Sequence, residues 1–274
     1  MKRQFAVAFL LLSAALSCAT RAAQDQPGAA TFTFHHISTV VPDYDANIDF
    51  WTKFGGTQQV MPGNVRFSLF HFTGYDVVIT VMENKNNSGG SVGSVLDHFG
   101  FQVPDVPAAV AKWKAAGLRV EPGRSDQQAY VYTPDNVKIE ILQDATLTNP
   151  LKPHHVHFYA QTPLEMQAWY AKMFGAVPGK RGPFDNAVVP NMDLTFSKAD
   201  TAVAPSKGRA LDHIGFSVVS VKEARKALES KGVVFDPALM PPGRDAGQFA
   251  FFIDPWGTHI ELIQTTPPAP AGSH

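Results

Sequence analysis

Alternating apolar and other residues predict β-strands at four places along the chain. In one of them, Phe99 and Phe101 alternate with His98 and Gly100. In another, the stretch around Ile214 has the same alternation. Successive side chains of a strand point to opposite faces, so the apolar face packs on a core and the face with histidine is left towards a cavity. The four stretches begin with similar residues, at 36–38, 98–100, 155–157 and 213–215.

Each predicted strand is followed by a helical pattern that ends at a glycine. Val221, Ala224 and Leu228 form one such apolar stripe. A glycine adopts the left-handed conformation that ends many helices. The four glycines follow the leading histidines by 19 or 20 residues and are Gly55, Gly117, Gly175 and Gly232. The repetition indicates four copies of one structural unit.

Further strand patterns complete each copy. The second and fourth copies close after turns rich in Pro, Asp, Asn and Gly, with Glu140 and Glu261 opposite the apolar face of the last strand. The first and third copies have Thr80 and Thr195 at the matching positions. Each copy therefore consists of a strand, a helix and several strands in about 60 residues.

Residues 149–153, which include two prolines, predict a linker between the second and third copies. We therefore expect a first half at 31–145, a second half at 151–266 and a disordered tail at 267–274.

The N-terminal residues predict a secretory signal. Lys2 and Arg3 precede an apolar run at 5–16, and small residues near position 23 suit cleavage, so we expect 1–23 to be removed and the protein to be secreted, to the periplasm in a bacterium. An uncleaved N-terminal anchor and a lipid attached to Cys18 remain alternatives. Cys18 is the only cysteine, so the mature chain has no disulfide and no thiolate ligand.

Composition narrows the class of partner. The formal net charge is −1 and basic residues are spread along the chain, which does not favour nucleic acid or a polybasic membrane contact. We expect a small-molecule ligand and no stable membrane span in the mature chain. A homo-oligomer remains open.

The histidine-bearing face offers candidate metal ligands. Two neutral imidazoles and one carboxylate suit a divalent transition metal and leave coordination positions open for substrate. The residue types recur in the two halves at offsets of 115 to 121 residues. We predict one site in each half, formed by His36, His98 and Glu140 and by His155, His213 and Glu261.

The motifs resemble those of the vicinal oxygen chelate superfamily, which includes glyoxalases, bleomycin resistance proteins and extradiol dioxygenases. Residues 97–101 and 212–216 are similar to its first-strand motif, and 254–261 to its last-strand motif. The resemblance spans nearly the whole mature chain and implies an α+β fold of four βαβββ modules, paired as two curved mixed-sheet halves. We expect module 1 to pair with module 2, and module 3 with module 4.

The resemblance also bears on the reaction. Extradiol dioxygenases would place iron in the second half, on His155, His213 and Glu261. They usually have a tyrosine where this chain has Phe251, and a histidine where it has residues 241–244. Glyoxalases usually have a carboxylate ligand where this chain has threonine, which counts against that assignment.

We therefore predict a metal-dependent enzyme, dioxygenase-like or a lyase, that acts on a small oxygenated or aromatic molecule. The expected metal is Fe(II), with Mn, Zn or Ni as alternatives, and the second half is favoured as the active one. The alternatives are a non-enzymatic binder of the drug-sequestering type and a purely structural role. Candidate catalytic residues are His157, Tyr159 and Arg244, and candidate substrate-binding residues are Arg124, Arg244 and Tyr130.

Overall fold

The computed structural model describes residues 31–241 and 245–265. The expected signal segment, Cys18, the tail from 267 and Arg244 lie outside these residues, and the expectations about them stay predictions. Within the described part of the chain, every helix is too short or too polar to cross a membrane.

Four modules of one strand, one helix and further strands follow one another along the described chain. Module 1 contains β1 (Thr33–Val41), α1 (Tyr44–Phe54), β2 (Thr57–Val60), β3 (Phe67–Phe72) and β4 (Tyr75–Glu83). Module 2 contains β5 (Leu96–Val103), α2 (Val106–Ala115), β6 (Arg119–Pro122), β7 (Gln128–Tyr132) and β8 (Lys138–Gln143). Module 3 contains β9 (Lys152–Ala160), α3 (Pro163–Phe174), β10 (Val177–Arg181), β11 (Phe184–Val189) and β12 (Met192–Lys198). Module 4 contains β13 (Leu211–Val218), α4 (Val221–Glu229), a short 3₁₀ helix (Pro237–Leu239), β14 (Phe249–Ile253) and β15 (His259–Gln264). The predicted α+β class and its four repeated modules are confirmed.

The predicted helix ends are also confirmed. Helices α1 and α3 end directly at Gly55 and Gly175, whereas α2 and α4 continue as a turn to Gly117 and Gly232. All four glycines have positive φ, between 69° and 125°. A side chain is strained in that conformation, so a glycine at this position ends the helix of each module. In modules 1 to 3 a strand follows directly, whereas in module 4 the 3₁₀ helix comes before β14.

The modules pair differently from the prediction. Strand β1 pairs antiparallel with β13, and β5 pairs antiparallel with β9. One sheet therefore joins modules 1 and 4 in the order β14-β15-β13-β1-β4-β3-β2, and the other joins modules 2 and 3 in the order β10-β11-β12-β9-β5-β8-β7-β6. The expected pairing of module 1 with 2 and 3 with 4 is wrong for the sheets. The first strand of each module forms backbone hydrogen bonds within its own module along one edge only. Along its other edge it pairs with the first strand of a module from the other half.

Aromatic packing follows the halves instead. Within the first half, Phe54 stacks on Trp113 with ring centroids 4.8 Å apart, and the Trp113 indole donates a hydrogen bond to the Phe54 carbonyl. Within the second half, Phe174 stacks on Phe216 at 4.3 Å. The apolar faces of modules 1 and 2, and of modules 3 and 4, thus pack on each other. The two halves are joined by the backbone hydrogen bonds of the sheets and by the aromatic contacts of Phe32 with Phe174 and of Phe34 with Phe216.

The predicted linker is shorter than expected. Strand β9 already begins at Lys152, and Leu151 is buried beside Gly55. The segment therefore takes part in the core of module 1.

Asp254, in the turn between β14 and β15, gives the fold a pH dependence. Its carboxylate accepts hydrogen bonds from the Thr258 and Trp256 amides and from the Tyr170 hydroxyl, at 2.7 to 3.0 Å. Burial nevertheless raises its pKa from 3.8 to about 6. An acid whose pKa is raised by folding stabilises the fold below its unfolded pKa, and this contribution is lost as the pH rises through the folded pKa.

We therefore expect Asp254→Asn, which does not titrate, to become relatively more favourable as the pH rises. The difference in the free energy of unfolding between wild type and Asp254→Asn should change by about 2.4 kcal/mol between pH 4 and pH 7. Urea unfolding at the two pH values measures it, with Asp126→Asn at an exposed turn as the control. A difference that does not vary with pH would contradict this account.

Candidate metal centres

The first centre lies on the sheet of modules 1 and 4, on the face away from the apolar core. It is formed by His36 on β1, His213 on β13 and Glu261 on β15. Glu261 Oε2 lies 3.0 Å from His213 Nε2 and 3.3 Å from His36 Nε2. All three side chains are buried. Two imidazole nitrogens and one carboxylate oxygen thus converge on one point.

The second centre lies on the sheet of modules 2 and 3 and repeats this geometry. Glu140 Oε2, on β8, lies 3.0 Å from His155 Nε2 on β9 and 3.6 Å from His98 Nε2 on β5. His157, also on β9, belongs to the same cluster, in which one ligand atom from each residue lies within 4.8 Å of the others. This centre therefore has one more imidazole than the first.

The sheet pairing changes which residues share a centre. The expected trio of His155, His213 and Glu261 does not form, because β9 lies in the other sheet from β13 and β15. The expected trio of His36, His98 and Glu140 is wrong for the same reason. All six predicted residues belong to a group that could hold a metal ion, but each centre takes its ligands from both halves of the chain.

A glycine opposite one histidine makes room for each centre. Gly215 pairs with His36 across β1 and β13, and a Cβ atom on Gly215 would lie 2.0 Å from His36 Cε1. Gly100 pairs with His155 in the same way, and its Cβ would lie 2.2 Å from His155 Cε1. Ordinary contacts to a Cβ are well above 3 Å. The imidazole therefore lies directly over the glycine backbone, which explains the glycine two residues after His98 and His213.

An aspartate orients one histidine in each centre. Asp212 Oδ1 lies 2.7 Å from His213 Nδ1, and Asp97 Oδ1 lies 2.7 Å from His98 Nδ1. A proton on Nδ1 donated to the carboxylate leaves the lone pair on Nε2, which is the nitrogen that faces the glutamate. These aspartates are the residues before the leading histidines of modules 2 and 4. The sequence shows these aspartates directly before the histidines, but it does not show that they orient the imidazole rings.

The electrostatics of both centres favour an ionised glutamate. Burial alone would raise the pKa of Glu261, but hydrogen bonds and charges of His213 and His36 outweigh it and hold that pKa well below its usual value. The same balance with His155 and His98 lowers the pKa of Glu140. Burial lowers the pKa of His155 to about 3, which keeps its imidazole neutral. At the second centre, a carboxylate thus faces a neutral imidazole, which is the protonation state that binds a divalent cation. At the first centre, burial would lower the pKa of His213, but its hydrogen bonds to Asp212 and Glu261 raise it to about 9, so a cation bound there has to displace the proton from this imidazole.

The donor set fits such a cation. Nitrogen and oxygen donors without thiolate suit first-row transition metals. In the second centre, His157 Nδ1 is buried, and the described residues offer it no hydrogen-bond partner. A buried polar atom without a partner is uncommon, and a bound ion accounts for it.

The two threonines are occupied by other contacts. Thr80 donates a hydrogen bond to Ser38 Oγ at 2.8 Å in the first sheet. Thr195 donates to Asn186 Oδ1 at 3.0 Å and accepts one from Arg181 Nε at 3.0 Å in the second. Each centre is therefore left with the three-residue set of two imidazoles and one carboxylate, with His157 in addition at the second.

The other predicted site residues lie around the second centre. His157 Nε2 is 2.8 Å from Ser197 Oγ, and the Tyr159 ring stacks on the His157 ring at 5.2 Å. Tyr130 is opposite Glu140 in the sheet, under the Lys138 ammonium at 4.4 Å. Arg124 is exposed at a turn, where its amide donates to Gln128. Arg244 lies outside the described residues.

Three further polar contacts were missed from the sequence. Gln128 donates a hydrogen bond to Glu140 Oε1, and Arg181 reaches Thr195. At the first centre, His259 Nδ1 lies 2.9 Å from Asp212 Oδ1. The other ring nitrogen, His259 Nε2, is buried and has no hydrogen-bond partner within the described part of the chain. Gln128 shares a strand face with Tyr130, which was a usable signal. Arg181 ends a short strand with no periodic pattern, and nothing in the sequence pointed to it.

Comparisons with known proteins agree with this architecture. A family model described as the Glyoxalase/Bleomycin resistance protein/Dioxygenase superfamily matches residues 33–141 and 152–262. A search of curated protein sequences gave no match.

Solved structures with a similar fold cover nearly the whole described chain. Glyoxalase I from Zea mays is 18% identical, with a TM-score of 0.66 over 86% of this chain and 93% of that chain. A proposed dioxygenase from Bacillus subtilis is 16% identical, with a TM-score of 0.64 over 88% and 87%. The cppA protein from Streptococcus pneumoniae is 9% identical, with a TM-score of 0.52 over 86% and 100%. At these identities the likeness is one of fold.

Proposed function

Because the chain belongs to the glyoxalase/bleomycin resistance protein/dioxygenase superfamily, we propose that it is a divalent-metal-dependent enzyme acting on a small oxygenated or aromatic molecule. The observation that carries the proposal is the buried cluster of two histidines and one glutamate, formed once by modules 1 and 4 and once by modules 2 and 3. Fe(II) suits a 2-His-1-carboxylate set with open positions. When bound, such an ion supplies a Lewis acid for adjacent substrate oxygens.

We assign the reaction to the first centre, formed by His36, His213 and Glu261. The Phe251 ring lies 5.9 Å from the His213 ring, at the position where the second centre has Tyr130. This aromatic ring beside the trio favours an aromatic or other apolar group on the molecule that the first centre binds.

The residues around the first centre can orient such a substrate. Asp212 accepts from both His213 and His259, which fixes both rings. With its Nδ1 proton held by Asp212, His259 presents the lone pair of Nε2, which accepts a hydrogen bond from a substrate hydroxyl. Burial of the trio keeps water away from the reacting oxygens. The carboxylate and imidazole groups thus hold the metal, and His259 and Phe251 hold the molecule.

The test compares the two glutamates. After purification without chelator and loading with iron(II), we expect Glu261→Ala to lower turnover of a panel of catechols by roughly two orders of magnitude or more. Glu140→Ala, the matched change in the second centre, should retain turnover, and elemental analysis should show loss of about one metal equivalent in each variant. Loss of turnover in Glu140→Ala alone would move the reaction to the second centre. Full metal content in both variants would remove the metal proposal and leave a non-enzymatic binder.

A further inference from the structure

Arg181, the last residue of β10, is held beside the second centre by one hydrogen bond. Its Nε donates to Thr195 Oγ1 at 3.0 Å, and its guanidinium lies 5.9 Å from the Phe184 ring centroid. The Nη2 atom is shielded from solvent, and among the described residues it has no hydrogen-bond partner. A buried N–H of a charged group without an acceptor is destabilising. The atom is therefore placed for an acceptor that the chain itself does not provide.

The sheet register puts this guanidinium next to the metal cluster. Thr195 pairs with His157 across β12 and β9, and His157 belongs to the cluster with Glu140. Burial lowers the pKa of Arg181, and the charges of Glu140 and Asp193 act in the opposite direction. Both carboxylates therefore lie within electrostatic range of the guanidinium. Neither forms a hydrogen bond or ion pair with it among the described residues.

Among the described residues, the first sheet has no arginine at the position that matches Arg181. In the second sheet, Arg181 is the partner of Phe184. In the first sheet, Met61 is in the corresponding position, since its amide donates a hydrogen bond to the Phe67 carbonyl. Methionine thus takes the place of arginine. The residue opposite the threonine also differs. It is Leu69, opposite Thr80, in the first sheet and Asn186, opposite Thr195, in the second. The two centres share a ligand trio but differ in the charge that faces it.

A guanidinium beside a divalent cation is repelled by it unless an anion lies between them. A carboxylate group supplies two oxygens in one plane, which matches the geometry of guanidinium donors. Such a group satisfies Arg181 Nη2 and also brings negative charge to the metal.

We propose that the second centre binds a carboxylate-bearing small molecule, with one carboxylate oxygen accepting a hydrogen bond from Arg181 Nη2 and an adjacent oxygen facing His98, Glu140 and His155. The inference rests on metal binding at this trio, which is part of the proposed function. It assigns the second centre an anionic ligand and leaves the apolar aromatic ligand to the first. The chain therefore carries two centres for different classes of molecule.

The test uses oxalate as the anionic probe and oxamide as its neutral counterpart. Calorimetry measures the binding of each probe to the metal-loaded wild type and to metal-loaded Arg181→Met. Methionine is chosen because it is the residue at the matching position of the first sheet, Met61. Wild type should bind about one equivalent of oxalate tightly, and Arg181→Met should weaken this binding by about 10- to 100-fold, the effect expected of a charge-assisted hydrogen bond. Oxamide binding should change little. Arg119→Met, an exposed arginine on β6 of the same sheet, is the matched control and should bind oxalate like wild type.

Elemental analysis of the same samples separates the two possible failures. Equal oxalate binding in wild type and Arg181→Met, with full metal content in both, would overturn the role of Arg181 and leave the metal centres intact. Equal weakening of oxalate and oxamide would overturn the preference for an anion. Absence of metal from wild type would overturn the proposed function and this inference together.

Discussion

The double variant His36→Ala/Glu261→Ala is expected to retain about one equivalent of divalent metal, whereas His36→Ala/Glu140→Ala is expected to retain almost none. His36 and Glu261 belong to the same centre, so their joint loss leaves the second centre intact. His36 and Glu140 belong to different centres, so their joint loss damages both. Removal of one ligand from a three-ligand site removes a large part of its affinity.

Elemental analysis and dialysis against a weak chelator measure this difference. The single variants are the controls, and each should lose about one equivalent. The opposite pattern, with His36→Ala/Glu140→Ala retaining an ion, would mean that the centres are built within the halves of the chain and would contradict the sheet pairing. Each double variant lacks one histidine and one glutamate, so the comparison depends only on which centre the lost glutamate belongs to.

Gly215→Ala is expected to abolish metal binding at the first centre. The new Cβ would lie 2.0 Å from His36 Cε1 and 2.3 Å from its Nδ1, so the imidazole has to leave its place. Overpacking of this kind also destabilises a fold by about 1–3 kcal/mol. Metal content and the free energy of unfolding of the apoprotein measure the two effects. Gly100→Ala should have the same effects at the second centre, where the neighbour is His155.

Two further variants show whether the histidine is the cause. Gly179→Ala is the control, since it lies in a strand with open space around its Cβ position. The pair Gly215→Ala/His36→Ala removes the clash, so its stability should be close to that of His36→Ala alone. A Gly215→Ala protein with full metal content would contradict the close approach.

The repeated unit could be predicted because its signals are local. The alternation around Phe99 and Ile214 decides which face of a strand is apolar, and the spacing from each leading histidine to its glycine marks the helix end. Both signals lie within one module of about 60 residues. The face that carries His36, His98 and the two glutamates was therefore predicted correctly.

The pairing of modules could not be predicted from those signals. The open edge of β1 pairs with β13, about 180 residues further along the chain, and the alternation in β1 would suit β5 equally well. Modules 1 and 2, which are neighbours in sequence, contact each other through apolar faces, as Phe54 and Trp113 show. Modules 2 and 3 are also neighbours, yet they pair in a sheet. The order of the modules therefore does not indicate which of the two contacts a pair will form.

The polar surroundings of the second centre were predicted only in part. His157 and Tyr130 share a strand face with a predicted ligand, so alternation reveals them. Arg181 reaches Thr195 from a strand two positions away in the sheet, and its contact depends on the length and direction of one side chain. No periodic pattern encodes such a contact.

Because each centre draws ligands from both halves, an ion bound there is also a cross-link between them. Its binding free energy adds to the free energy that holds the halves together, by about 2.7 kcal/mol for each ion at a hundredfold excess over its Kd. The aromatic stacks of Phe54 on Trp113 and of Phe174 on Phe216, in contrast, lie within the halves. The metal-loaded chain should therefore unfold as one cooperative unit, and chelation should weaken the joint between the halves before it affects either core.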